Sequence, residues 1–351
     1  MKRKLGDLAI IVKSKDSVEK IDRNKYVTTE NMISNRGGVS FPSSTVPKQN
    51  KLDTFDKDDV LVSNIRPYFK KIWKAPFGGY KSGDVLAFRT KDRDILSQEY
   101  LYILLESDRF FEYMTTTAKG TKMPRGDKKA IAEFPFDLPS IDIQKKRSHQ
   151  IEVIEQKISL NQQINANLDE IKTAYFDKSF NQQMQSNLNG KLKNITKITS
   201  GKRPNKKSDT KSSKDKYPIV GASKVMGYTD NYLYNEPILT TGRVGTHGII
   251  QRFREPVWVS DNSFVFKTDH EDYLFEILNH WINYSALNRG STQPLITQTD
   301  LKNIDIYVPT ESELKKFERV SRILTNLQFS LIKQNRRLDQ IKKTLLNKLL
   351  L

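Results

Sequence analysis

The feature that most constrains this chain is that it repeats itself. Asn167-Leu168-Asp169-Glu170-Ile171-Lys172 returns 170 residues later as Arg337-Leu338-Asp339-Gln340-Ile341-Lys342. At the same offset Phe134–Pro139 meets Ile304–Pro309, Lys145-Lys146 meets Lys315-Lys316, and Lys119-Gly120-Thr121 with Pro124 meets Arg289-Gly290-Ser291 with Pro294. Upstream the offset grows to 177, pairing Leu61-Val62-Ser63 and Arg66 with Ile238-Leu239-Thr240 and Arg243, and Asp84 with Asp261. A weaker match at 187 relates Leu5–Leu8 to Leu192–Ile195. Offsets that change only in steps are what loop insertions leave in a duplicated unit. A 351-residue chain of this kind is two copies of one plan, within the length expected of two domains.

Each copy has two parts. The first, roughly 1–139 and 186–309, carries strand-like runs punctuated by Gly and Pro: Asp59–Ser63, Asp84–Phe88, Pro237–Thr241, Val257–Val259 and Phe264–Phe266. One helix is expected in each, over Gln98–Met114 and Asp272–Asn288. The second part, 140–185 and 310–351, lacks Gly and Pro and places apolar residues three and four apart. The expected seam runs through Ile151, Ile154, Ile158, Ile164, Leu168, Ile171 and Tyr175, and through Leu314, Phe317, Val320, Leu324, Leu327, Leu331, Leu338, Ile341 and Leu345, with Asn161 and Gln334 as polar interruptions. About 35 residues at 1.5 Å each make a rod of about 50 Å. The expectation is an α+β fold: two globules alternating with two long helices that pair as an antiparallel coiled coil, related by a pseudo-twofold.

The charge says what such a layout could hold. Fifty-nine Lys and Arg against 41 Asp and Glu give a net charge of +18. Two clusters concentrate it: Gly201–Lys216 has seven basic and two acidic residues, and Lys119–Lys129 has five against one. Both are rich in turn formers and read as exposed loops, which suits a polyanion that releases counterions on binding. No basic helix carries the apolar face that a lipid interface requires. No apolar run approaches the ~18–20 residues of a bilayer span, and Gly6 and Asp7 follow the basic Met1–Lys4 where a signal peptide would be apolar. The absence of Cys excludes disulfides and thiolate sites and fits a reducing cytoplasm.

Catalytic patterns are missing. Gly201-Lys202 is followed by Arg203-Pro204 and is no phosphate loop. Asn64-Ile65-Arg66-Pro67-Tyr68 lacks the spacing of an adenine methyltransferase motif, and His149, His247, His270 and His280 share no metal-ligand spacing. Glu170-Ile171-Lys172 lies on the helical seam, away from any nuclease-like strand. A duplicated enzyme would need a constellation that this sequence does not offer.

The order of two variable globules and two helical repeats resembles the specificity subunit of type I restriction-modification enzymes. The likeness spans the chain. Its sharpest pieces are Phe134–Lys146 with its echo at Ile306–Lys316, and the helical tails Asn165–Phe180 and Asn335–Leu350. Leu5–Leu8 and Tyr217–Ala222 resemble passages early in the first and second target recognition domains, although Lys193-Asn194 stand where the second domain's Gly-Asp is expected. The resemblance implies target recognition domains at 1–139 and 186–309, and helical spacers at 140–185 and 310–351. It further implies a non-catalytic subunit that reads a split, asymmetric double-stranded DNA site, docks two methyltransferase subunits and recruits motor-nuclease subunits. S-adenosylmethionine, ATP and Mg would then belong to those partners.

DNA-reading residues are expected in loops at equivalent places of both copies. The paired candidates are Arg66 with Arg243, Lys119 with Arg289, and Thr121 with Ser291; around them stand Lys70, Lys71, Lys122, Arg125, Lys202, Arg203, His247, Arg252, Thr292 and Gln293. Arg bonds guanine and Gln adenine bidentately, while Lys more often holds phosphate. The competing reading is a stand-alone nucleic-acid-binding adapter with two basic domains on a coiled-coil spacer. Exposed apolar residues on the helices, expected at Phe176, Phe180, Phe317 and Leu349–Leu351, would mark docking surfaces and separate the two.

Overall fold

A computed structural model describes residues 2–18, 20–47, 51–289 and 294–349. The chain forms two compact units, Met1–Leu160 with Gln334–Leu351, and Asn161–Lys333. Each unit therefore contains one globule and a segment of each long helix, Ile141–Ser186 and Glu311–Leu349.

In the first unit a four-stranded antiparallel sheet has the order Ala9–Ile11, Val85–Thr90, Val60–Ser63, Ile72–Lys74. Its central strands are buried on both faces, which is why they read as continuous apolar runs. Val60, Val62 and Phe88 point into a core with Tyr100, Leu104, Phe110, Phe111 and Phe134. Leu61, Val85 and Ala87 point the other way, against Val27, Met32 and Phe55. Phe55 belongs to a second sheet, ordered Lys15–Ser17, Lys51–Phe55, Gly79–Lys81, Tyr26–Val27.

The second unit repeats the central sheet in the same order: Lys197–Ser200, Ser263–Lys267, Ile238–Gly242, Gln251–Phe253. Leu239, Phe264 and Phe266 face a core with Tyr273, Phe176, Phe180 and Phe317, while Ile238 and Val265 face Val220, Val257 and Val259. A short ribbon also recurs, Lys2–Lys4 with Pro135–Asp137 and Gly190–Lys191 with Asp305–Ile306. What differs is the second sheet, here three strands, Val225–Thr229, Tyr217–Val220 and Trp258–Val259.

The long helices pair antiparallel in each unit. Asn335 donates to the Ile158 carbonyl (3.4 Å) in the first, and Gln328 donates to the Asn165 carbonyl (3.1 Å) and to Asp169 (2.8 Å) in the second.

Four expectations need correction. The helix over Gln98–Met114 is two helices, Gln98–Glu106 and Asp108–Thr116, because Ser107 is extended, accepts from the Phe110 N–H (3.1 Å) and so caps a new start. The helix expected over Asp272–Asn288 runs only from Glu271 to Glu276, continues as a π-turn over Ile277–Trp281, and stops where Ile282 turns extended with its side chain buried in the core. The buried helical faces are also more polar than the apolar stripe implied. Asn161, Lys172, Ser321, Thr325 and Gln328 are buried, whereas Ile171, Val320, Leu327 and Ile341 are exposed. Phe176, Phe180 and Phe317, expected to be exposed, are core residues of the second unit; the expectation at Leu349–Leu351 concerns side chains outside the described residues.

Candidate nucleic-acid interface

In both units the central strand that ends in the paired arginine is met by a loop returning just before a short helix. In the first unit Arg66 leaves the strand with left-handed backbone (φ 49°) and donates its N–H to the Pro124 carbonyl (2.8 Å). Gly126 N–H reaches the Asn64 carbonyl (3.0 Å), and Lys119 and Arg125 exchange backbone hydrogen bonds of 2.8 and 2.9 Å. Asp127 then caps the helix Lys128–Ala132. In the second unit Ile296 N–H reaches the Arg243 carbonyl (3.1 Å), Gly245 N–H the Pro294 carbonyl (2.9 Å), and Arg289 N–H the Leu295 carbonyl (3.0 Å). Thr297, at Asp127's equivalent place, caps Gln298–Lys302. The backbone therefore brings Arg66 beside Lys119–Arg125 and Arg243 beside Pro294–Ile296, which Leu295 ties to Arg289, at corresponding places of the two copies.

Side chains divide these candidates. Arg66 and Arg243 are half-buried and have no acidic partner among the described residues; the Arg66 Nε is buried without a hydrogen-bond acceptor. Lys122, Lys202 and Arg203 are exposed, as is Thr121. Lys119 pairs with Asp127 (2.5 Å), Arg289 with Asp300, and the largely exposed Arg125 with Asp84 (3.2 Å). Pairs this open to solvent are weak and exchangeable for phosphate. His247 Nδ1 lies 3.2 Å from the Gly242 carbonyl, while its Nε2 is buried without a partner.

Three basic candidates are tied into the fold. Lys70 and Arg36 both hold Asp108 (2.5 and 2.6 Å); burial alone would raise that carboxyl, but the two cations overcome it and set its pKa at about 2. Lys71 donates to the Thr29 carbonyl (2.6 Å), and burial lowers its pKa. Arg252 stands furthest from the expected role. Its side chain is 8% exposed, stacks over Phe275 (3.8 Å), and bonds Asp272 (2.5 Å) and Glu271 (3.3 Å). A guanidinium so placed is part of the packing between sheet and helix. Ser291, Thr292 and Gln293 lie outside the described residues.

Two features escaped the sequence reading. Between Arg66 and Lys70 the turn Pro67–Phe69 holds two largely exposed rings, Tyr68 (47%) and Phe69 (37%), with centroids 4.8 Å apart. The Arg-Pro-Tyr-Phe-Lys-Lys run could have signalled it, since aromatics between cations in a turn have no core to enter. The other is a matched pair of buried charges. Glu106 and Glu276, 170 residues apart, are both buried, and lysines at the same offset, Lys342 and Lys172, serve them in opposite order. Lys342 bonds Glu106 (2.6 Å) and Glu155 (2.5 Å), while Lys172 acts on Glu276 through space and bonds Asp169 (3.1 Å).

Among the described residues no cluster of three or more His, Asp or Glu side chains could hold a metal ion, and no helix is long and apolar enough to cross a membrane.

Comparison with known proteins accords with this duplicated arrangement. A family model for the type I restriction modification DNA specificity domain matches residues 1–170 and again 186–343. A protein of Mycoplasma pneumoniae named as a type I specificity subunit is 22% identical over 336 residues, covering 90% of this chain and 88% of the relative. The specificity subunit of the type I restriction enzyme MjaVIII of Methanocaldococcus jannaschii is 24% identical, covering 99% and 91%. In fold, the crystal structure of a type I restriction-modification S subunit from M. genitalium aligns with a TM-score of 0.56 at 15% identity, covering 100% of this chain and 96% of that one. With the family matched twice, once per copy, the chain belongs to the type I restriction-modification DNA specificity family.

Proposed function

We propose that this chain supplies the DNA address of a type I restriction-modification complex: each unit reads one half of a split, asymmetric site, and the chain itself performs no chemistry. The observation that carries this reading is the recurrence of one strand-end arrangement, with an arginine lacking an acidic partner at corresponding places, Arg66 and Arg243. Two such presentations suit two half-sites, with Arg66 and Arg243 reading base edges. Lys119, Lys122, Arg125, Lys202, Arg203 and Arg289 would hold phosphate, and Thr121, His247, Ser291, Thr292 and Gln293 would complete the contacts. Lys70 and Lys71 would support the loop, and Arg252 would act only in packing.

The proposed partners are duplex DNA, two methyltransferase subunits and motor-nuclease subunits, which bring S-adenosylmethionine, ATP and Mg; the setting is the cytoplasm. We assign the globules to 1–139 and 186–309 and the spacers to 140–185 and 310–351. Docking is supported by exposed apolar residues on the long helices, including Val153, Leu160 and Ile341 in the first unit and Ile171, Ile323 and Leu327 in the second. A free adapter would have little use for them.

The test is to co-express the chain with its methyltransferase subunits and sequence methylated adenines. Methylation at one split motif, half of which changes when residues 1–139 are exchanged for a foreign globule, is the expected result. Absence of both a complex and new methylation would overturn the reading.

A further inference from the structure

The geometry points to Tyr68 and Phe69 as an aromatic wedge that enters DNA at the half-site of the first unit and unstacks one base step. This rests on the DNA-reading function proposed above.

The rings are presented, not merely exposed. Arg66 (φ 49°) and Lys70 (φ 51°) both adopt the left-handed conformation that non-glycine residues seldom take, and they bracket the turn. Hydrogen bonds fix it from both sides. Phe69 N–H reaches the Arg66 carbonyl (3.0 Å) and Lys70 N–H the Pro67 carbonyl (2.8 Å), while Asn35 and Arg36 donate to the carbonyls of Phe69 and Lys70 (2.8 and 2.9 Å). Backbone strain held by surrounding contacts, at a point carrying exposed rings, marks a pre-organised surface. Lys71 lies 5.9 Å from the Phe69 ring centre, and Arg66 is hydrogen-bonded to the loop that carries the exposed Met123.

The company is cationic, which selects the occupant. Lys122 and Arg125 in the same loop are exposed. A protein partner that covered these rings would have to be acidic to match them; a nucleic acid offers phosphates for the cations and base faces for the rings at once. Among the described residues, the corresponding strand end of the second unit carries no Tyr, Phe or Trp. After Arg243 its chain runs Val244-Gly245-Thr246-His247-Gly248, with both glycines at positive φ (81° and 76°). The wedge would therefore act on one half-site only.

The experiment uses the full chain assembled with its methyltransferase subunits, and duplexes of the mapped methylation motif with 2-aminopurine placed in turn at each step of the half-site assigned to the first unit. The expected result is a fluorescence rise at one step on binding, lost in Tyr68→Ala/Phe69→Ala. That variant should bind about tenfold more weakly, as losing a stacking contact predicts, with an unchanged salt dependence because no charge is removed. Tyr68→Leu/Phe69→Leu should recover part of the signal, since an aliphatic wedge also inserts. No rise at any step, or a rise that survives the alanine variant, would overturn the proposal. So would loss of the methyltransferase subunits from the alanine variant on gel filtration, which would make the rings a protein contact. Because wild-type methylation is scored first, failure of the DNA-reading function itself is seen separately.

Discussion

In the first unit one lysine from the second long helix, Lys342, serves two carboxylates, Glu106 on the globule and Glu155 on the first long helix. In the second unit the corresponding lysine, Lys172, bonds, among the described residues, only Asp169 on its own helix and lies over Phe275 (5.1 Å). The joining falls to Arg252, which grips Asp272 and Glu271, while Thr325 of the second helix donates to Asp272 (2.6 Å) and Thr173 of the first donates to Glu276 (3.1 Å). The duplication thus kept the places of buried charge but not the pairing. A buried carboxylate must have a partner, but nothing requires the same partner after two copies have diverged.

The comparison predicts where substitution should hurt. Lys342→Met strands the fully buried Glu106, and Arg252→Met strands Asp272; each should cost about 3–5 kcal/mol. Denaturant unfolding measures it, and equal, sub-kilocalorie effects would mean the wiring is not as described. Arg66→Ala and Arg243→Ala should each remove about 1–3 kcal/mol of base discrimination, one in each half-site. Mapping methylated adenines tests this: relaxation of the same half by both variants would break the equivalence.

A third difference is the buried Glu318, which accepts from the Tyr273 N–H (3.0 Å) and stands where the first copy has Ser148. Burial, with Asp272 nearby, raises its pKa from 4.5 to about 7. The folded chain then keeps this proton up to about pH 7, whereas the unfolded chain releases it near 4.5. Its contribution makes stability fall as pH rises between those values and level off above them, by at most ~1.4 kcal/mol per pH unit. Glu318→Gln should flatten that slope in urea titrations at stepped pH; an unchanged slope would assign it elsewhere. The smallest effect is expected of Lys172→Met, about 1 kcal/mol, because Asp169 is exposed and the methionine stem still packs on Phe275. A loss as large as that of Lys342→Met would erase the contrast.

Much of this molecule was legible in its sequence because the duplication made each half a check on the other. The central strands showed as apolar runs since both faces are buried, and the long helices showed because Gly and Pro are absent from them. The helical seam was harder. An apolar stripe assumes that helix packs on helix alone, but these helices also pack on globules that supply polar groups, so Thr325 and Lys172 are buried and Ile171 is not. At the candidate interface, offset arithmetic paired Arg66 with Arg243, which stand at corresponding strand ends; Arg252, named only among their neighbours, is tied into the fold, since a basic residue on a strand says nothing of the carboxylates waiting on a distant helix. Tyr68 and Phe69 were overlooked because aromatics are read by default as core.

The opposite order in which Lys342 and Lys172 serve the two copies bears on how the protein is made. All of the second unit, residues 161–333, leaves the ribosome before Lys342 does. The globule synthesised first must wait, with Glu106 lacking its cation, while the one synthesised second already has Lys172, made before it. The newborn chain therefore completes itself from the inside outward, and its earliest-made part is the last to be closed.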